Sequence, residues 1–370
     1  MDASADIIII GGGIHGCSTA LHLARRGVKA LVIEKDYAGR HASGVNAGGV
    51  RQLARALPEV ALSVASMTLW ESIVNLVDDD CGFQSHGQVL VAETDDELQA
   101  MRERVHELNG RGFAHEELID QAELRRLVPA VADYCPGGIV SRRDGAADPF
   151  RSTQAFRRAA VAQGARVIEG EQVQSIVQAA QVWQVTTDRG RYQAGGLVNA
   201  AGGWADRIAA MVGERLPLQT IAPMLMITTR LPAFIEPVVI LRSRKLSFKQ
   251  FPNGTVMIGG GHLAHVDRDQ NTTRLDWAKL HESARTVWEL FPIMREASIQ
   301  RAWAGIEGRM LDDIPVMGPS AVAERLWHQC GFSAHGFQLG PAAGQAMADL
   351  ITTGQSSIDL SGLQVGRFAV

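Results

Sequence analysis

The chain has 370 residues and a formal net charge of −4, from 36 lysines and arginines against 40 aspartates and glutamates. That length suits two domains that bury roughly 75% of the extended surface, and the near-balanced charge gives no broad positive field or like-charge tail, which excludes nucleic acid as a partner. Four scattered cysteines, Cys17, Cys81, Cys135 and Cys330, form no CxxC or Cys/His cluster, so no metal or iron–sulfur site is expected and a reducing compartment fits best.

The N-terminal "MDASADIIII" starts acidic and its apolar run gives way to glycine within a few residues, unlike a signal peptide or a spanning helix. The expected location is cytoplasmic, with peripheral attachment to the inner face of a membrane left open. "DIIII", residues 6–10, reads as a buried strand, "GGGIHGCSTALHLARRG" as a glycine turn into a helix that Gly27 ends, and "KALVIEK" as a second strand closing on Glu34. Gly11, Gly13 and Gly16 match G-x-G-x-x-G. The first permits the tight turn, the second lets a pyrophosphate approach the helix end, the third lets helix and strand pack, and Glu34 would hold a ribose 2′-hydroxyl. The acid argues against NADP but does not separate NAD from FAD. The alternative is a glycine-rich turn that only saves space. Cys17 and His22, on the same helix, read as packing or surface residues.

"GRHASGVNAGGVRQLARALPEV" follows, poor in bulky apolar residues. Such a bare loop, with Ser43, Asn46 and Arg51, suits the edge of a flat ligand; the alternative is an ordinary surface loop. "VALSVASMTLWESIVNLV" then predicts an amphipathic or buried helix, "GFQSHGQVLVAET" a hairpin or strand pair, "DDELQAMRERVHELNGRG" a solvated helix, and "ELIDQAELRRLVPAV" another short helix. From Pro149 the pattern is helix, strand, hairpin, a buried strand ending at "LVNA" and a glycine turn into a helix. Antiparallel-looking pieces and a long helix occupy residues 216–300. The fold class is therefore α/β plus α+β, a Rossmann-like domain interleaved with a second domain built on a mixed or antiparallel sheet.

In the last hundred residues, "GFSAHGFQLGPAAGQAMADLITTG" carries Gly331, Gly336, Gly340 and Gly344 into an Ala-rich helix ending near Gly354. Its start would offer backbone donors to an electron-rich ring oxygen or a phosphate, or else serves tight packing. His335 is a catalytic or ring-contacting candidate, otherwise structural or solvated; His262 and His86 are weaker ones.

Together "DIIIIGGGIHGCSTALHLARRGVKALVIEK", "ASGVNAGG", "LVNAAGGWADRIAAMVG", "WAGIEGRMLDDIPVMGP" and "GFSAHGFQLGPAAGQAMADLI" resemble the FAD-dependent D-amino-acid oxidase superfamily over nearly the whole chain. The likeness is to glycine and sarcosine oxidases, D-amino-acid dehydrogenases and hydroxyproline dehydrogenase flavoprotein subunits. It implies an FAD-binding domain at 1–85, 140–215 and 312–370, and a substrate domain at 86–139 and 216–311. It implies FAD held by Gly11, Gly13, Ile14, His15, Gly16, Glu34 and Lys35 at the N-terminus. Arg40, His41, Ala42, Ser43, Asn46, Ala47, Gly48 and Gly49 would follow along the flavin. Val173, Ala200, Gly202, Trp204 and Gly305 belong to the middle, with Gly331, Ser333, His335, Gly336, Phe337 and Gln338 over the ring end. The superfamily moves a hydride from the carbon α to an amine onto flavin, giving an imine, and needs alignment rather than a strong base.

The chain departs from its relatives in two ways. The cysteine that anchors FAD in single-chain sarcosine oxidases is missing from "MLDDIPVMGP", and the histidine that anchors FMN in the heteromeric type is missing near "GAADPF". Noncovalent FAD and no second flavin are therefore expected. Where glycine oxidases and some D-amino-acid dehydrogenases carry Trp-Ala-Gly-Leu-Arg, with the arginine clamping the substrate carboxylate, this chain has Trp303-Ala304-Gly305-Ile306-Glu307. Two carboxylates repel in a confined site. Arg51 could take over the clamp with Arg242, Arg244 or Lys249; Glu307 could accept from a substrate amine or ring hydroxyl; or Glu307 could pair with Arg301 or Arg309 as scaffold.

The expected catalytic set is Arg51, Lys249, Glu307 and His335, and the substrate-binding set is Arg51, Arg242, Arg244, Trp303 and Glu307. The expected reaction is oxidation of a secondary or D-amino acid, hydroxy-D-proline ahead of sarcosine, glycine or a general D-amino acid. A noncatalytic flavin-binding or electron-transfer subunit is the other reading. Electrons would leave to oxygen, a quinone or a partner subunit, and a hetero-oligomer with iron–sulfur subunits fits the lack of cluster ligands here.

Overall fold

The structure, a computed structural model, describes residues 3–368. The apolar β-branched run makes the strand Ala3–Ile10, longer than the 6–10 expected because Ala3–Ala5 pair with Tyr192–Ala194. It lies inside a sheet whose order is Val316–Pro319, Leu326–Cys330, Arg191–Asn199, Ala3–Ile10, Ala30–Glu34, Arg166–Glu169. All neighbours are parallel except the first pair. Val173–Ala179 and Val182–Thr187 extend it as an antiparallel ribbon. The helices Ile14–Arg25, Pro149–Ala162 and Gly340–Thr353 cover this sheet through an apolar core that includes Ile9, Leu21, Phe156 and Met347. A buried parallel sheet collects its ligand sites at the carboxyl ends of its strands. Here those ends are Ile10, Glu34 and Asn199.

The second sheet is mixed, in the order Ile299–Ala304, Met224–Thr228, Val256–Gly259, Ser247–Gln250, Val238–Leu241, Gln88–Ala92, Gly137–Ser141, Glu117–Asp120. The helix Trp277–Leu290 packs on it through Leu280, Val287 and Leu290, beside Phe248 and Phe291. Gly137–Ser141 belongs to this sheet and runs across the boundary expected at 140.

Three local expectations need correction. The helix expected over "VALSVASMTLWESIVNLV" is two, Val60–Glu71 and Ile73–Val77, because Ser72 leaves the helical region and its hydroxyl donates back to Thr68 O. "GFQSHGQVLVAET" is not a hairpin: only Gln88–Ala92 is a strand, and its partners come from Gly137–Ser141 and Val238–Leu241, far away in sequence. "ELIDQAELRRLVPAV" is half strand, Glu117–Asp120, and half helix, Gln121–Leu127. Asp120 switches one to the other as an N-cap, accepting from Glu123 N at 2.9 Å.

Candidate active site

A cavity of about 670 Å³ runs from the carboxyl ends of the first sheet to the second sheet. At its first end the glycine turn is shaped by steric need. Gly11 has φ +114°, and a Cβ there would sit 2.3 Å from Ala200 O; one on Gly16 would sit 2.0 Å from Gly11 O. The helix Ile14–Arg25 begins with no side-chain cap from Gly13, and Ile14 N donates to Ser43 Oγ at 3.0 Å. Glu34 closes its strand with Oε2 accepting from Gly12 N at 2.6 Å and Oε1 from Asp36 N at 2.9 Å. Burial pushes its carboxyl above the ordinary range. Bare backbone before a helix end, beside a carboxylate at the next strand end, fits the pyrophosphate and ribose of FAD.

Along the middle, Lys35 Nζ lies 3.3 Å from the Trp204 ring centroid and donates to Asn271 Oδ1. His41 Nε2 meets Asp36 at 3.0 Å, while burial lowers its imidazole to about 4. Asn46 braces its loop from both ends: Nδ2 donates to Ala42 O at 2.8 Å, and Oδ1 accepts from Gly48 N at 2.7 Å.

The far end is built by the turn at Gly331–Phe337. Ser333 and Ala334 both adopt left-handed φ, +53° and +65°, a conformation that costs an L-residue about 1–2 kcal/mol. Side chains hold it. Ser333 Oγ accepts from Met310 N at 3.1 Å, His15 stacks on Phe332 with centroids 3.6 Å apart, and Glu307 Oε1 accepts from Ala334 N at 2.6 Å. Burial pushes the Glu307 carboxyl up to about 7 and drops His15 to about 3. Glu307 Oε2 has no protein partner among the described residues, and the side chain lines the cavity.

Arg51 also lines the cavity, with Nη1 donating to Leu53 O at 2.5 Å. His335 lines it too; its Nε2 is 2.9 Å from Glu59 Oε1, and burial holds its pKa below the ordinary value. Arg55, four residues past Arg51, is fully engaged: it donates to Arg51 O, His335 O and Gln338 Oε1. Sequence reading missed Arg55, Glu59 and Gln88. Glu59 and Gln88 are an acid and an amide with no motif around them; Arg55 could have been found from its i+4 spacing to Arg51.

Most residues singled out from the sequence come together here. Gly11, Gly13, Ile14, His15, Glu34, Lys35, Arg40, His41, Ala42, Ser43, Asn46, Ala47 and Gly49 line the cavity. So do Val173, Ala200, Gly202, Trp204, Arg242, Gly305, Gly331, Ser333, Gly336 and Phe337. Six do not. Gly16 and Gly48 sit behind the wall, where Cβ atoms would strike Gly11 O and Ala147 O. Gln338 is fully buried, accepting from Ser63 Oγ and Arg55 Nη2. Trp303 points its Nε1 to Val45 O at 2.9 Å and so ties the 42–45 turn to the second sheet. Arg244 turns outward to pair with Glu93 and Glu289. Lys249 shares a strand face with cavity-lining Ser247, but the Gly48 turn covers its amine, which burial lowers to about 8. The scaffold partners expected for Glu307 are also corrected: Arg309 pairs with Asp313, and Arg301 lies exposed.

A family model described as FAD dependent oxidoreductase matches residues 6–350. The sarcosine oxidase subunit beta of Rhodobacter capsulatus is 26% identical over 361 residues, 95% of this chain and 86% of that protein. The mitochondrial sarcosine dehydrogenase of Mus musculus is 26% identical over 389 residues, 100% of this chain, which spans only 42% of that longer protein. Among solved structures, the L-proline dehydrogenase of P. horikoshii superposes with a TM-score of 0.92 at 26% identity, covering 100% of this chain and 98% of that one.

Proposed function

The chain belongs to the FAD-dependent oxidoreductase family, and from that premise we propose that it oxidises the C–N bond of a secondary or D-configured amino acid, a hydroxy-D-proline first, to an imine. Bound FAD supplies the two-electron acceptor for the α-hydrogen. Gly11, Gly13, Ser43 and Glu34 would hold its dinucleotide end, and Ala47, Gly49 and the Gly331–Phe337 turn its ring end. The proposed division of labour follows the two sheets, with 1–85, 140–215 and 312–370 holding FAD and 86–139 and 216–311 shaping the substrate side.

The observation that carries the reading is Glu307. One of its oxygens is tied to Ala334 N while the other is left to the cavity, at the position where the sequence resemblance implies an arginine clamp for the substrate carboxylate. Arg51 is then a cavity-lining cation suited to the substrate carboxylate, with the exposed Arg242 on the same wall. Glu307, with its carboxyl near neutrality, is suited to a ring hydroxyl or an amine N–H. Orientation of this kind is the protein's main lever on rate. The sarcosine-named relatives and the fold of the proline dehydrogenase support a small secondary amine. Sarcosine, glycine or a simple D-amino acid is the second reading, favoured by those same names.

The proposal extends to a partner subunit as electron acceptor, since the Rhodobacter relative is itself a subunit; oxygen and a quinone are the alternatives. No helix among the described residues is long and apolar enough to cross a membrane. Steady-state assays with cis-4-hydroxy-D-proline, D-proline, sarcosine and glycine, each with a dye acceptor and with oxygen, test the reading. Turnover fastest with the hydroxyproline is expected, and flat traces with all four would sink it. A Glu307→Gln enzyme that kept the hydroxyproline preference would remove hydroxyl recognition by Glu307.

A further inference from the structure

Behind Arg51 lies a second group of polar side chains that the reaction as described does not use. Gln52, Gln88, Ser141 and Asp144 expose 1% of their surface or less, and Glu116 3%. Four buried polar atoms there, Gln52 Oε1, Gln88 Oε1, and Nδ1 and Nε2 of His115, have no hydrogen-bond partner among the described residues, and the Ser141 hydroxyl has only Asp144 to lean on. Leaving a buried polar atom unpaired is costly, so such a cluster calls for a partner that the described residues do not provide, and buried water is the usual one.

The group is continuous. Gln88 lines the main cavity, and its Cα faces that of Ser141 across the antiparallel pair of Gln88–Ala92 with Gly137–Ser141. Asp144 Oδ2 accepts from Gln52 N and Leu53 N, each at 2.9 Å, and its Oδ1 from Gln52 Nε2 at 3.4 Å. Glu116 accepts from Ala54 N at 2.7 Å and is forked by Arg104 at 2.7 and 2.8 Å. His115 Nε2 lies 3.9 Å from Glu116 Oε1, and its side chain is 7% exposed, so the ring sits just beneath the surface. Charges alternate along the way: Arg51, Asp144, then Glu116 with Arg104. Burial raises Asp144 and lowers His115, which moves the two groups toward each other.

We propose that Gln52, Gln88, Ser141, Asp144 and His115 enclose a chain of bound water that leads the substrate's amine proton from the cavity to the surface. An amino acid arrives largely as an ammonium, and its nitrogen needs a lone pair before the α-hydrogen can depart. The N–H bond breaks, the bonding pair stays on nitrogen, and the proton passes to water at Gln88, then along the chamber to bulk solvent past His115. What the chamber carries rests on the amine-oxidising reading above; its hydration does not.

Two measurements on the FAD-loaded protein test this. A high-resolution crystal structure should show ordered waters bonded to Gln52 Oε1, Gln88 Oε1 and Ser141 Oγ; a dry chamber with those atoms paired to protein groups overturns the proposal. In stopped flow with a pH-indicator dye, proton release should keep pace with flavin bleaching in the unmodified protein. It should lag by roughly tenfold or more in both Ser141→Val and His115→Leu, each checked for unchanged flavin spectrum and melting temperature. Release at the unmodified rate in both variants overturns the path. If no amine bleaches the flavin, the substrate reading fails while the crystal structure still decides the chamber.

Discussion

Two glycine-rich turns lead into helices that face the same cavity, and they are stabilised in opposite ways. At Gly11–Gly16 the unusual geometry falls on glycines, and backbone alone does the shaping: φ +114° at Gly11 and a Cβ-free approach at Gly16. At Gly331–Gly336 the left-handed positions include Ser333 and Ala334, and side chains from elsewhere hold them, Glu307 foremost. The first turn is a fixed cradle written into local sequence. The second is strain maintained by a long-range contact, which is where active sites commonly store it.

The sharpest way to break the contrast is Gly16→Ala. Its methyl would sit 2.0 Å from Gly11 O, a backbone atom that cannot step aside, so loss of bound flavin and a destabilisation of about 3 kcal/mol are expected by denaturant titration. The second turn should fail through its partner. Glu307→Ala leaves Ala334 N without its acceptor and is expected to cost about 2 kcal/mol, whereas Glu307→Gln keeps an acceptor and costs under about 1 kcal/mol. Equal losses in the two variants would show that charge, not the hydrogen bond, holds the turn.

Acidity sharpens the same comparison. Glu307 rises from 4.5 to about 7 on folding, so its protonated form is favoured in the native state. The stability it contributes is present below pH 4.5 and is lost as pH rises through 7. His15, lowered from 6.5 to about 3, acts in the opposite sense: its contribution is present above pH 6.5 and is lost as pH falls toward 3. Thermal melts between pH 4.5 and 7 should therefore show a smaller decline, or a steeper rise, with increasing pH in Glu307→Gln than in the unmodified chain. Identical slopes would contradict the burial of that carboxyl. The smallest effect expected is from Ala334→Gly. Relief of left-handed strain slightly outweighs the added freedom of the unfolded chain, for a gain of about 0.5 kcal/mol.

The contrast also explains what could be read from the chain alone. The first turn was legible because its strand, glycines, helix and Glu34 lie within thirty-odd residues, and each obeys a local steric or electrostatic rule. Most of the cavity wall at residues 40–49 was legible for the same reason, through the scarcity of bulky side chains. What was hidden depends on contacts between distant segments: Glu307 with Ala334, His335 with Glu59, Gln88 with Ser141. Arg244 and Lys249 were misplaced for a related reason. A cation near the right strand says nothing of whether Glu93 draws it outward or the Gly48 turn covers it. The broken helix at Ser72 and the strand at Glu117–Asp120 are likewise decided by partners beyond any local window.

We propose that the cavity joins a flavin cradle to a site for a secondary or D-configured amino acid. Anaerobic titration of the purified yellow protein with cis-4-hydroxy-D-proline, followed at the flavin absorption band, tests it most directly. Full bleaching by the amino acid is expected, and none by its N-acetyl derivative, which lacks a nitrogen lone pair free to form the imine. A protein that stays yellow with the hydroxyproline, D-proline, sarcosine and glycine, yet bleaches with dithionite, would contradict it.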